Sequence, residues 1–482
     1  MSTATTGLGD LRGVAAVSVF RGVPYATARR FGPPAPLSAW TGLRDATRHG
    51  PIPPQAPSRL RAAMGETDRR QDEDCLTLTI ATPAADAAAR PVIVFLHGGA
   101  YLSGAGSLDW YDGSVLARDG DVVVVGVNYR LGALGFLHLP GVAEGNMGLQ
   151  DMVAALRWVR DHIAGFGGDP ANVTVMGQSA GAHAIMCLLT MWDTQGLFHR
   201  AILQSPPPTL VPQSRAVARA NAEALCAQLQ VSADALAEVP VADLITAQMQ
   251  VARQMARFGD ITPPFLPVFD AMTDTATFIR VAAAEAGKRG IDMIIGTTRE
   301  EMHAFLAGDP AMNPPDPQAI ADRFAALTGS ADSIALYRRR RPGASPMDLL
   351  GDLLTDHIFL FPALALADAV VQAGAQVWMY QFDWAPPASR FKACHCLELP
   401  FVFGNLPAWA DAPMLAGGDP VQMAALSAAL RATWVEFADS GDPHAPGLLW
   451  PPYRPDGRQT MIFGNVIGVA GDPSGAEWRG GI

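Results

Sequence analysis

Gly177-Gln178-Ser179-Ala180-Gly181 has the residue types and spacing that a serine nucleophile needs. A sharp strand-to-helix turn exposes the hydroxyl, and glycines two positions to either side leave room for neighbouring backbone. The apolar run Val173-Thr174-Val175-Met176 leads into this turn, and small helix-forming residues follow it. A helix starting just after Ser179 also aims free amides at negative charge. His97-Gly98-Gly99-Ala100-Tyr101 closes a second apolar run. The bare amides of Gly98 and Gly99, joined by that of Ala180, could form a three-donor oxyanion hole. A serine hydroxyl needs a base to take its proton, and the base needs a carboxylate to orient it. The histidines beyond Ser179 are His183, His199, His303, His357, His395 and His444. His183 falls one helical turn after the serine, ahead of any acid, and reads as a packing or rim residue. Composition does not choose among the others.

These groups must be held by a scaffold. Residues 92–96 and 122–127 are short apolar, β-branched runs without alternation, which suits strands buried on both faces of a mostly parallel sheet. Residues 151–163 have helical spacing, with Met152, Leu156, Val159 and Ile163 on one side. Strands are also expected at 291–295 and 377–384. Alternating strands and helices predict the α/β class: a large, mostly parallel central sheet flanked by helices. Alanine-rich helical stretches at about 211–289 and 305–373 read as insertions above the active site. One domain over 1–482 is expected.

The chain has 482 residues, 49% hydrophobic and 17% charged, which suits a large buried core. Its formal net charge is −11 and Arg338 to Arg341 is its densest basic cluster, so nucleic acid is excluded as a partner. The first ten residues are small and polar, and no apolar run nears the roughly 20 residues that span a bilayer. No membrane association is expected, and the chain reads as cytoplasmic, with a secreted mature form as the alternative. Five cysteines, an odd number in so long a chain, do not make a disulfide framework.

Motifs along most of the chain resemble the carboxylesterase type B family, within the α/β-hydrolase superfamily. They include Phe20-Arg21-Gly22-Val23-Pro24-Tyr25-Ala26, Glu73-Asp74-Cys75-Leu76, Gly145-Asn146-Met147-Gly148-Leu149-Gln150-Asp151 and Phe166-Gly167-Gly168-Asp169-Pro170. The resemblance implies a serine carboxylesterase that hydrolyses small-molecule esters through an acyl-enzyme, without metal or cofactor. It also implies the missing catalytic positions. Gly296-Thr297-Thr298-Arg299-Glu300-Glu301 is similar to the family's acid segment and puts the carboxylate at Glu301, with Glu300 supporting it. Lys392-Ala393-Cys394-His395, followed by Glu398-Leu399-Pro400-Phe401, puts the base at His395. Ser205 matches a serine that hydrogen-bonds near the acid in relatives, and Arg30 with Glu73 matches a structural ion pair.

The chain departs from the family pattern at several places. Met302 and Cys396 stand where glycines are usual, and Pro206 replaces a third. Cys394-His395-Cys396 lacks the second ligand pair that zinc requires, so no metal is expected. Cys75 has no cysteine before it, which implies a free thiol and an unstapled, more mobile loop over 55–72. That loop has no aromatic residue to hold a quaternary ammonium, which does not suit a cholinesterase. Tyr101, Met302 and Phe359 are expected on the pocket wall. The alternatives are a carbamate or amide hydrolase with the same triad, and a non-catalytic binding member of the family. The retained Ser179 and His395 argue against the latter.

Overall fold

The computed structural model describes residues 1–14, 17–308, 316–473 and 475. Its centre is a ten-stranded sheet. In chain order the strands are β1 (Ser18–Pro24), β2 (Thr77–Thr82), β3 (Arg90–Leu96), β4 (Val123–Val127) and β5 (Gly168–Gln178). The other five are β6 (Arg200–Gln204), β7 (Asp292–Thr298), β8 (Val377–Phe382), β9 (Gln459–Phe463) and β10 (Ile467–Gly471). Across the sheet they run β10-β9-β8-β7-β6-β5-β3-β4-β2-β1. Every pairing from β9 to β4 is parallel, and the antiparallel strands sit at the two edges.

The apolar runs explain this arrangement. Residues Val92 to Leu96 are all fully buried, because helices cover both faces of the sheet. One large core cluster lies on each face. On one side, helix α1 (Met147–His162) turns Met152, Leu156 and Val159 inward, as their spacing predicts.

Strand order reverses between β3 and β5. After β5 the chain adds strands outward in one direction, whereas β4, β2 and β1 lie on the other side. Such a switch point leaves a crevice beyond the carboxyl ends of its strands. Gly98 and Gly99 follow β3, Ser179 follows β5, Glu301 follows β7 and His395 lies beyond β8. The topology therefore delivers loops from both halves of the chain to one end of the sheet.

The expected insertions are helical where described, including Arg215–Leu229, Val241–Met255 and Thr275–Arg289. Part of the stretch 305–373 lies outside the described residues. Its remainder packs a third, smaller core around Met302, Phe324, Leu353 and Phe359. The expectation that no apolar run is long enough to span a bilayer needs correction. Pro346–Gln372 is a 27-residue helical run with the length and composition to do so. It does not read as a span, because 61% of its most apolar stretch is buried inside the fold, as in the core helix of a globular domain.

Candidate active site

Ser179 stands between β5 and helix α2 (Ala180–Leu189), with φ 56° and ψ −120°. Only a crowded, over-determined turn holds a non-glycine residue there. A Cβ on Gly177 would lie 2.5 Å from the Gly181 carbonyl carbon, and one on Gly181 would lie 1.9 Å from the Leu96 oxygen. Both glycines are sterically obligatory. The Ser179 amide donates to the Gln204 carbonyl at 2.8 Å, which ties the bend to β6.

The loop after β3 approaches this bend closely. A Cβ on Gly98 would fall 3.0 Å from the Ser179 Cβ. Gly99 has φ 116°, followed by Ala100 at 55° and Tyr101 at 58°. Ser103 O would be 2.0 Å from a Cβ at Gly99, so glycine is required there too. No hydrogen-bond acceptor meets the backbone amides of Gly98, Gly99 or Ala180 among the described residues.

Glu301 and His395 form a fully buried pair. Glu301 Oε2 lies 2.5 Å from His395 Nδ1, and Glu301 Oε1 accepts from the Thr298 amide at 2.8 Å. A carboxylate facing Nδ1 places the imidazole proton on that nitrogen, leaving a lone pair on Nε2. Glu300 grips the histidine loop from both sides. Its amide donates to the Ala393 carbonyl at 2.9 Å, and its Oε2 accepts from the Ala393 amide at 3.1 Å. Arg341 holds its other oxygen at 2.7 Å.

Ser179 and His395 line the same cavity, of about 190 Å³, together with Gly98 and Gly99. No hydrogen bond joins the Ser179 hydroxyl to His395. The His395 Nε2 partner is instead the Gln178 side-chain amide nitrogen, at 3.1 Å. Sequence reasoning missed this residue because the motif leaves its position free. The only available signal was a polar side chain on the strand end beside the nucleophile.

The three expected wall residues do not line the cavity. Tyr101, Met302 and Phe359 are all fully buried. Tyr101, at the end of the Gly98–Tyr101 loop, bonds His183 through its hydroxyl. Met302 packs into the helical third core, and its amide donates to Thr355 Oγ1 at 3.1 Å. Phe359 sits behind His395 with ring centres 4.9 Å apart, placed there by a π-helical turn over Asp356–Leu360. Phe305 does line the cavity and packs against the same imidazole at 5.3 Å, while Trp110, Tyr111 and Leu210 supply further apolar wall. Ser205 is buried at φ 49°, and its hydroxyl makes no hydrogen bond among the described residues.

The 55–72 rim is tied by hydrogen bonds. The Gln55 side chain accepts from the Gly104 amide at 2.6 Å and donates to the Gly104 carbonyl at 2.9 Å. Ile52 and Asp72 pair through backbone at 3.1 Å. Cys75 is buried and free, and burial pushes its thiol well up. Arg30 Nε donates to Glu73 at 2.9 Å, in the ion pair the motifs imply.

A second carboxyl lies beneath the pair. Glu398 is fully buried, accepts from the Gln204 amide at 3.2 Å, and is pushed up to about 8 by burial and by the charge of Glu301. It is therefore largely protonated at neutral pH. In the unfolded chain the same carboxyl ionises near 4.5, so between these values the folded state holds the extra proton. Stability from this group is then fully present below 4.5 and is lost as pH rises towards 8. Glu398→Gln should gain stability relative to the native chain across that window, by up to roughly 1.4 kcal/mol per pH unit. Denaturant midpoints of both proteins, measured from pH 4.5 to 9 (a window set by these values), check this. A difference that does not change with pH contradicts it.

The carboxylesterase family model matches residues 3–467. A probable N-octanoylanthranilate hydrolase of Rhodococcus erythropolis is 39% identical over 468 residues, covering 96% of this chain and 97% of the relative. A para-nitrobenzyl esterase of Bacillus subtilis is 38% identical over 488 residues, covering 97% of this chain and 96% of the relative. The crystal structure of a Geobacillus stearothermophilus carboxylesterase superposes with a TM-score of 0.86 at 34% identity, with both chains fully covered. With a cavity at the switch point of an α/β sheet and similarity along nearly its whole length, this chain belongs to the carboxylesterase family.

Proposed function

We propose that the protein is a serine carboxylesterase working through Ser179, His395 and Glu301. The observation that carries this reading is the 2.5 Å Glu301–His395 pair, which presents an imidazole lone pair to the cavity that Ser179 also lines. His395 Nε2 takes the hydroxyl proton as Ser179 Oγ bonds to the ester carbonyl carbon. For this, Nε2 must pass from the Gln178 amide to the serine. The carbonyl oxygen becomes an oxyanion facing the amides of Gly98, Gly99 and Ala180. The C–O bond to the alcohol then breaks, and Nε2–H protonates the departing oxygen. Water repeats the sequence on the acyl-enzyme, returning Ser179 and releasing the acid. The largely apolar wall suits uncharged acyl or alcohol groups.

A fluorophosphonate tests the reading, because it phosphonylates a serine that a neighbouring base activates. One equivalent should attach to Ser179, with ester hydrolysis lost in proportion. Modification elsewhere, or activity surviving full labelling, removes Ser179 from its role. Amide hydrolysis is a second reading, favoured by the relative named for an N-octanoyl substrate. Rates on a p-nitrophenyl ester, the matching anilide and an aryl carbamate rank the three acyl groups.

A further inference from the structure

His183 lies one turn beyond Ser179 on α2, its amide donating to the Ser179 carbonyl at 2.9 Å. Its ring is fully buried, lies outside the cavity lining and joins two other segments. Nε2 lies 2.5 Å from the Leu210 carbonyl oxygen, and Nδ1 lies 2.7 Å from the Tyr101 hydroxyl. A carbonyl only accepts, so Nε2 carries the hydrogen and Nδ1 accepts from Tyr101. The Cys187 thiol, 3.8 Å from Nδ1, is the other polar group at this nitrogen. The Tyr101 carbonyl accepts from the Gly132 amide at 2.6 Å, so both polar ends of that residue are anchored.

Tyr101 ends the run of three left-handed residues that begins at Gly99. Positive φ at Ala100 and Tyr101 costs roughly 1–2 kcal/mol each, and the loop keeps this shape only while its surroundings impose it. The donors proposed for the oxyanion lie on two elements: Gly98 and Gly99 on this loop, Ala180 on α2. A three-donor site works only when its donors stay within about 0.5 Å of their required positions. The Tyr101–His183 bond braces the loop against the helix, and Leu210, at the far end of the chain of bonds, is part of the cavity wall.

We infer that His183 is a positioning residue that sets the separation between the two halves of the oxyanion hole. The inference rests on the triad reading above. Burial lowers the ring to about 4, which keeps Nδ1 free to accept from Tyr101 at neutral pH.

Three variants test it: Tyr101→Phe, His183→Leu and His183→Gln. Tyr101→Phe keeps the ring packed against Phe136, so it serves even where His183→Leu does not fold. Tyr101→Phe and His183→Leu should lower kcat on a p-nitrophenyl ester about tenfold or more, a fraction of the loss from deleting one donor, with KM within twofold. Binding of a trifluoromethyl ketone, whose serine adduct carries the oxyanion, should weaken by the same factor as kcat/KM. His183→Gln offers both an acceptor and a donor and should recover kcat to within about threefold. Native kcat in Tyr101→Phe, an unchanged ketone affinity, or a glutamine variant no better than the leucine one overturns the inference. Ser179→Ala, run alongside, separates the two ideas. If it still hydrolyses ester, the triad reading fails. If it is inactive while the brace variants match the native enzyme, only the role of His183 falls.

Discussion

Ser179→Ala should lower kcat by about five to six powers of ten while the fold stays intact. The size of the loss follows from the unit character of the proposed triad, in which the imidazole and carboxylate accomplish little without an oxygen to activate. What survives is binding and oxyanion stabilisation, worth about 10³–10⁴ over water. The fold should not respond, because the Ser179 side chain makes no capping bond to α2. Its amide bond to Gln204 belongs to the backbone and persists in alanine. Turnover of a p-nitrophenyl ester with thermal unfolding measured in parallel checks both halves. A loss below a hundredfold in a variant with native unfolding temperature excludes the acyl-enzyme route.

Glu301→Gln should be the next most damaging change, at about four powers of ten in kcat. The reason is geometric. The Thr298 amide donates to one Glu301 oxygen at 2.8 Å, and in the glutamine variant it needs the amide oxygen in that place. The glutamine NH₂ is thereby turned towards His395 Nδ1, where the carboxylate Oε2 stood. Nδ1 must then accept, the ring proton moves to Nε2, and no lone pair remains to take the serine proton. Size and packing barely change, so stability should stay near native. Pre-steady-state kinetics should show the loss in acylation. A variant within tenfold of native kcat contradicts the assignment of Glu301.

Much of the scaffold was legible because it obeys one-dimensional rules. Strands β3, β4, β5, β7 and β8 appear as short apolar runs ending in turn residues, as buried parallel strands do, whereas β6 (Arg200–Gln204) was not read as a strand. The elbow was legible because steric room is a property of glycine alone. The N-terminal hairpin Ser2–Thr6 and Gly9–Gly13, and the edge pair β9 and β10, escaped. Each exposes part of one face, and the resulting mixed pattern resembles loop sequence. The proposed acid and base were implied by motif resemblance and not by spacing, since Glu301 and His395 meet only through the β7–β8 pairing. The direction of a loop side chain cannot be read from its position, which is why Tyr101, Met302 and Phe359 were assigned to the wall and Phe305 and Gln178 were overlooked. Phe359 owes its place to a π-helical turn, where one extra residue per turn shifts every later side chain around the axis.

The strand order has a consequence for biosynthesis. A growing polypeptide reaches Gly98 and then Ser179 long before strands β7 and β8, whose pairing brings Glu301 and His395 together. Domains assemble largely as units on leaving the ribosome, and distant parallel pairings close late. On the proposed mechanism, a nascent chain that has not yet reached His395 carries a Ser179 hydroxyl without its base, unable to acylate itself on passing metabolites. On that reading competence waits for the loops after β7 and β8, as a by-product of where the sheet changes direction.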